Sequence, residues 1–160
     1  MFESDIELKL ADCPEQVAAI VKETIQKVYP HYYPLGAVQF FLDLHSEARI
    51  EEVMYSEEIY LAMVQGNIIG TGSIRKSEIC RLFILPEYQR KGYGSRLMDL
   101  LEARIFENYP KVHVDASFPA ECMYLKRGYQ ITSYEKIKTK NGDFLCYHTM
   151  EKEICRNLSV

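Results

Sequence analysis

The segment Gln89-Arg90-Lys91-Gly92-Tyr93-Gly94-Ser95 gathers two glycines and two adjacent cations, residue types suited to holding an anion. Glycine tolerates positive φ and lets the backbone approach a ligand closely. A strand-like run precedes the segment and a helical pattern follows it. Its last residues therefore open a helix, where the leading N–H groups lack intrahelical partners and the dipole is positive. A diphosphate is the natural occupant of such a turn. No Gly-Lys-Ser/Thr closes it as in a P-loop, and Gly92-Tyr93-Gly94 lacks the third glycine of a dinucleotide fingerprint, so ATP and NAD are disfavoured. Taken alone, the same residues also suit a plain strand-to-helix turn with a solvated basic pair.

Other reactive side chains are scattered. Cysteines at 13, 80, 122, 146 and 155 form no Cys-x-x-Cys pair and are odd in number, which fits reduced, intracellular thiols rather than a disulfide framework or zinc site. Nothing in the sequence pairs Cys80 or Cys122 with a base, so packing is the default for both. His31, His45, His113 and His148 lack metal-ligand spacing, and no metal is expected. His31-Tyr32-Tyr33-Pro34 suits a connector packed on a sheet, or rings that stack on a cation.

The chain's 160 residues, 48% hydrophobic and 26% charged, suit one soluble globular domain and exclude a disordered or collagen-like polymer. Nineteen Lys and Arg against 23 Asp and Glu leave a net charge of −4. Such a chain is no polycation for a nucleic-acid backbone, and it leaves room for a cationic small substrate. The start Met1-Phe2-Glu3-Ser4-Asp5 lacks a basic, apolar leader, and no apolar run of about 18 residues occurs, so a cytoplasmic location without a membrane partner is expected.

The elements that must position the turn follow from periodicity. Ile6, Leu8 and Leu10 alternate with Glu7 and Lys9 as in a half-buried strand. Asp12 and Glu15 suggest a capping box for a helix over 13–28, with Pro14 in its first turn. A second helical region over 35–55 is expected to break near Ser46. Strands over 59–64 and 68–75 join through Gln65-Gly66-Asn67, and a third over 78–85 is closed by Pro86. Next come a helix ending near Asn108, a strand over 112–117, and a short helix over 119–127 closed by Gly128. Strands over 129–138 and 144–151 flank Asn141-Gly142, a dipeptide suited to a type I′ turn.

Two blocks decide how the turn is read. Arg81-Leu82-Phe83-Ile84-Leu85-Pro86-Glu87-Tyr88-Gln89-Arg90-Lys91-Gly92-Tyr93-Gly94 forms the first, and Ser117, Ala120, Tyr124, Gly128 and Tyr129 carry the second. Together they resemble the signature of the GNAT superfamily of N-acetyltransferases over roughly residues 5–152. Ser117 stands where that family has Asn, and Tyr129 where it has Phe.

The resemblance implies a single α/β (α+β) domain over 1–154 with a tail over 155–160. Its central sheet would be mixed but mostly antiparallel, with six to seven strands flanked by about four helices. Acetyl-CoA is implied as co-substrate, its pyrophosphate cradled by Gln89, Arg90, Lys91, Gly92, Tyr93, Gly94 and Ser95. Leu82, Phe83 and Ile84 would pair with the pantetheine arm, and Ser117 would contact it. A lysine-like amine has a pKa of about 10.4 and must lose a proton before attack. Glu78 would take that proton, directly or through water, and Tyr124 would protonate the departing thiolate or donate a hydrogen bond to it. The implied reaction is direct transfer of an acetyl group to a primary amine, on a small molecule or a peptide amino group, without nucleic acid or membrane; a homodimer is allowed. The alternative is an acyl-CoA-binding sensor or partner module of the same fold without transferase activity.

Overall fold

A computed structural model describes residues 5–155. The expected tail lies outside the described residues from 156 onward. In chain order the elements are β1 (Glu7–Leu10), α1 (Pro14–Val28), α2 (Leu35–Leu44), α3 (Glu47–Val53), β2 (Glu58–Val64), β3 (Asn67–Arg75) and β4 (Glu78–Ile84), then α4 (Tyr93–Phe106), β5 (Lys111–Ala116), α5 (Phe118–Lys126), β6 (Gln130–Lys138) and β7 (Phe144–Glu153). One seven-stranded sheet runs β1-β2-β3-β4-β5-β7-β6. Its neighbours are antiparallel except β4 and β5, which run parallel and pair only at Glu78 with His113 and Ile79 with Val114. Beyond Ile79 the two strands part, and the sheet forks.

Strand alternation sends successive side chains to opposite faces. On β2, Tyr60, Ala62 and Val64 join a core with Leu97, Met98, Leu101 and Ile105 of α4. Ile59 and Leu61 join a second core with Val17, Val21 and Ile25 of α1 and Ile50 of α3. The sheet thus lies between α4 and α5 on one side and α1, α2 and α3 on the other.

Among the described residues five α-helices appear rather than about four, because the break expected near Ser46 is complete. The Ser46 hydroxyl accepts a hydrogen bond from the Arg49 N–H at 3.4 Å and starts α3 afresh. The capping box does not form. Pro14 occupies the first helical position, so Cys13 rather than Asp12 is the N-cap, and no side chain caps the helix. Asn141-Gly142 does not make a two-residue hairpin turn either. Only Gly142 has positive φ, at 88°, and the connection spans Thr139 to Asp143. Asn141 Oδ1 instead accepts hydrogen bonds from the Thr139 hydroxyl at 2.7 Å and the Asp143 N–H at 3.2 Å, fixing the wider loop.

Candidate active site

Two cavities meet where β4 and β5 diverge, sharing Tyr29, Leu82, Phe83, Ser117 and Ala120 as common wall. The first, of about 840 Å³, extends from that wall toward the start of α4. Leu82, Phe83, Ile84, Gln89, Arg90, Gly92, Gly94, Ser95 and Ser117 all line it. On its other edge β4 pairs with β3 up to Ile84, which leaves the fork-side backbone of Cys80 to Ile84 beyond the last pairing with β5.

Backbone geometry shapes this cavity. Arg90 has φ of 60° and Gly92 φ of 82°, so the chain turns through the left-handed region twice before α4 begins. The first helical bond of α4 runs from Arg96 N to Gly92 O, at 3.2 Å, so the earlier amides of its first turn precede the helical ladder. Gly94 keeps that turn open, because a Cβ there would lie 3.4 Å from Met123 Sδ and a longer side chain would enter the cavity. Gln89 Nε2 donates to Ile84 O at 2.8 Å, tying the turn back to the end of β4. Lys91 and Tyr93 are not among the lining residues. Lys91 Nζ sits 5.6 Å from the Tyr88 ring centroid, and Tyr93 packs edge-on to the same ring.

Arg127 is a member of this wall that the sequence did not single out. It donates to Ser95 Oγ at 2.7 Å and Ser95 O at 3.0 Å, and to Asp99 and Glu102 at 2.6 and 2.9 Å. It fastens α5 to the first turn of α4. Its place between Tyr124 and Gly128 in the second block was the available signal.

The second cavity, of about 300 Å³, lies beneath α2, between that helix and the diverging strands. Phe40, Phe41, Leu44 and His45 of α2 and its C-terminus roof it, while Ile137, Leu145 and Tyr147 of the last hairpin form its far side. Tyr124 lines it too, buried and with its hydroxyl pKa raised by desolvation and by Tyr29, so the phenol keeps its proton. Tyr29, on the shared wall, is pushed up to about 12 by burial. His45 is lowered to about 3 by burial and by the charge of Arg81, and its Nδ1 has no hydrogen-bond partner. Arg81 is itself ion-paired with the buried Glu57. Burial pushes the Cys80 thiol up to about 12, far from the thiolate needed of a nucleophile.

Asp115 is the carboxylate that lines this cavity. Desolvation raises its pKa, with the charges of Glu78 and Glu135 adding to the effect, although its side chain still reaches solvent. Glu78 lines neither cavity. It stands at the paired end of β4, upstream of the fork, and accepts a hydrogen bond from Arg75 Nη2 at 2.9 Å. Periodicity could have found Asp115, since it alternates with Val112, Val114 and Ala116, all buried on the opposite face.

Within the tyrosine-rich connector Tyr33 is packed, while Tyr32 is exposed and lines the larger cavity. Tyr33 is buried, its hydroxyl accepts from the Phe118 N–H at 2.7 Å, and its ring stacks on Phe118 with centroids 5.1 Å apart. His31 is exposed and lines neither cavity. No group of three or more His, Cys, Asp or Glu among the described residues is placed to hold a metal, and no described helix is long and apolar enough to cross a membrane.

Residues 22–154 match the family described as acetyltransferase (GNAT) domain. The chain is 22% identical over 138 residues to YafP, an uncharacterised N-acetyltransferase of Escherichia coli K12, covering 86% of this chain and 89% of that one. Among solved structures, the GCN5-related N-acetyltransferase from Rhodopseudomonas palustris superposes with a TM-score of 0.83 at 24% identity, over 96% of this chain and 98% of its own. The PaiA N-acetyltransferase of Thermoplasma acidophilum, in complex with coenzyme A, gives 0.69 at 17% identity, over 94% and 99%. At these identities the structural likeness speaks for the fold.

Proposed function

The chain belongs to the GNAT acetyltransferase family, and we propose that it moves the acetyl group of acetyl-CoA to a primary amine by direct transfer between its two cavities. The observation that carries this is the shared wall at the fork, which puts a turn suited to a diphosphate on one side and a carboxylate and a buried phenol on the other. The larger cavity fits acetyl-CoA. Arg90 and the first-turn amides of α4, kept accessible by Gly94, face a diphosphate, and Leu82, Phe83 and Ile84 offer strand backbone to an extended pantetheine arm. Acetyl-CoA, when bound, supplies a thioester whose C–S bond breaks as the new C–N bond forms.

Residues of the second cavity handle the protons. Asp115 accepts the proton that the incoming ammonium must lose, and its raised pKa makes it a better base than an ordinary exposed carboxylate. Glu78, paired with Arg75, adds negative charge near Asp115 and remains the alternative base through water. Tyr124, held in its protonated form, donates a hydrogen bond to the sulfur as negative charge collects there. An acyl-enzyme on Cys80 is disfavoured by its raised pKa.

Calorimetric titration with acetyl-CoA, followed by thiol release against a panel of primary amines, tests this assignment. Binding at one site per chain with amine-dependent thiol release is expected. Binding without release for any amine would turn the chain into an acyl-CoA-binding module, and no binding would remove the co-substrate.

A further inference from the structure

The second cavity is small, apolar at its sides and acidic at one end, and these properties restrict what amine it can take. Its volume of about 300 Å³ stands at the lower limit for ligand pockets, so it encloses only a small body around the reacting amine. Phe40, Phe41, Leu44, Ile137, Leu145 and Tyr147 give it aromatic and aliphatic sides. The basic groups on its wall carry no free positive charge, because His45 is neutral at pH 7 and Arg81 is balanced by Glu57. Negative charge on its wall is carried by Asp115, with Glu135 and the Arg75-paired Glu78 close enough to act on it.

We propose that the acceptor is a small monoamine whose nitrogen is carried on an aromatic or branched aliphatic body, the body lying under α2 and the ammonium at Asp115. This rests on the transferase reading above and names its substrate class.

Competing acceptors fail on desolvation or charge. A polyamine would place a second ammonium among apolar side chains without a partner, and a polyhydroxylated amino sugar would leave hydroxyls unsatisfied there. The carboxylate of a free amino acid would sit near Asp115 and meet like charge. An apolar ring instead displaces water from the cavity sides and gains affinity in proportion to the area covered.

The test compares thiol release from acetyl-CoA with 2-phenylethylamine, ethylamine, spermidine and glycine as acceptors, alongside calorimetric binding of acetyl-CoA. The expected result is a kcat/KM for 2-phenylethylamine at least about tenfold above that for ethylamine, with spermidine and glycine lower still. Leu44→Lys, at a partly exposed position on the cavity wall, is expected to raise the KM for 2-phenylethylamine about tenfold and to leave acetyl-CoA binding unchanged. Equal or better use of ethylamine, spermidine or glycine overturns the substrate class and leaves the transferase reading standing. An unchanged KM in Leu44→Lys also overturns it. Acetyl-CoA binding with no turnover of any of the four overturns the substrate class; the transferase reading falls only if the wider panel of primary amines also releases no thiol.

Discussion

The two cavities that meet at the fork are built by different means. The larger is made of backbone: a strand edge without a partner, two residues in the left-handed region and the open first turn of a helix. The smaller is made of side chains from α2, β4, β5 and the last hairpin, brought together from separate parts of the chain. A backbone-built surface suits what all substrates of a reaction share, on the proposed reading the CoA portion, and accepts most side-chain changes that spare its glycines. A side-chain-built surface can be changed residue by residue, which suits the half of the site that must distinguish one amine from another.

The hold on each cavity differs in the same way. Arg127 fastens the α4 turn through four partner groups, whereas α2 is held over the smaller cavity by the hairpin tip, where the Gly36 N–H donates to Asp143 Oδ2 at 2.9 Å. The carboxylate at the start of α2 also complements the helix dipole. A Cβ at Gly36 would overlap the Asn141 amide, which would then have to swing away from Thr139 and Asp143.

Substitutions can separate the two halves. Tyr124→Phe is expected to have the largest effect, lowering kcat by about 100-fold or more while leaving the Kd for acetyl-CoA within about twofold. A large change in Kd instead would mean that the phenol holds the co-substrate rather than serving the reaction. Gly94→Leu fills the first turn of α4 and is expected to weaken acetyl-CoA binding by about 10- to 100-fold, read by calorimetry, with little change in Tm. If binding survives, the diphosphate lies elsewhere.

Asp115→Asn should lower kcat/KM by about tenfold and remove the acid limb of its pH profile. In the wild type, Asp115 acts as a base only when ionised. Because desolvation, Glu78 and Glu135 raise its pKa, activity should be lost, as pH falls, at a higher pH than an unperturbed aspartate would give. A limb that survives in Asp115→Asn and disappears in Glu78→Gln would return the role of base to Glu78. Gly36→Ala should have the smallest effect, raising the KM for the amine several-fold with the acetyl-CoA Kd unchanged, because it disturbs only the roof of the second cavity.

The same division explains what could be read in the sequence. The turn from Gln89 to Ser95 was legible because glycines and a preceding Pro86 mark backbone geometry directly. The strands followed from periodicity, with shifts of a residue or two at most ends; the fork between β4 and β5 did not. Periodicity sets Asp115 on the face opposite Val112 and Val114, but that it lines the smaller cavity while Glu78 does not depends on where β4 and β5 part and on the bulge between Ser73 and Ile74, which no local pattern encodes. The roof of the smaller cavity was legible only as a helical region broken near Ser46. Its position over the sheet comes from contacts with Asn141 and Asp143, roughly a hundred residues later, where the expected type I′ turn gives way to a wider loop.

The central claim is that both cavities are filled at once and the acetyl group passes directly across their shared wall. Initial rates of thiol release, measured while acetyl-CoA and 2-phenylethylamine or another active amine are varied together, test it most directly. Double-reciprocal lines that intersect are the predicted result; parallel lines, with acetyl transferred to the protein in the absence of amine, would contradict it.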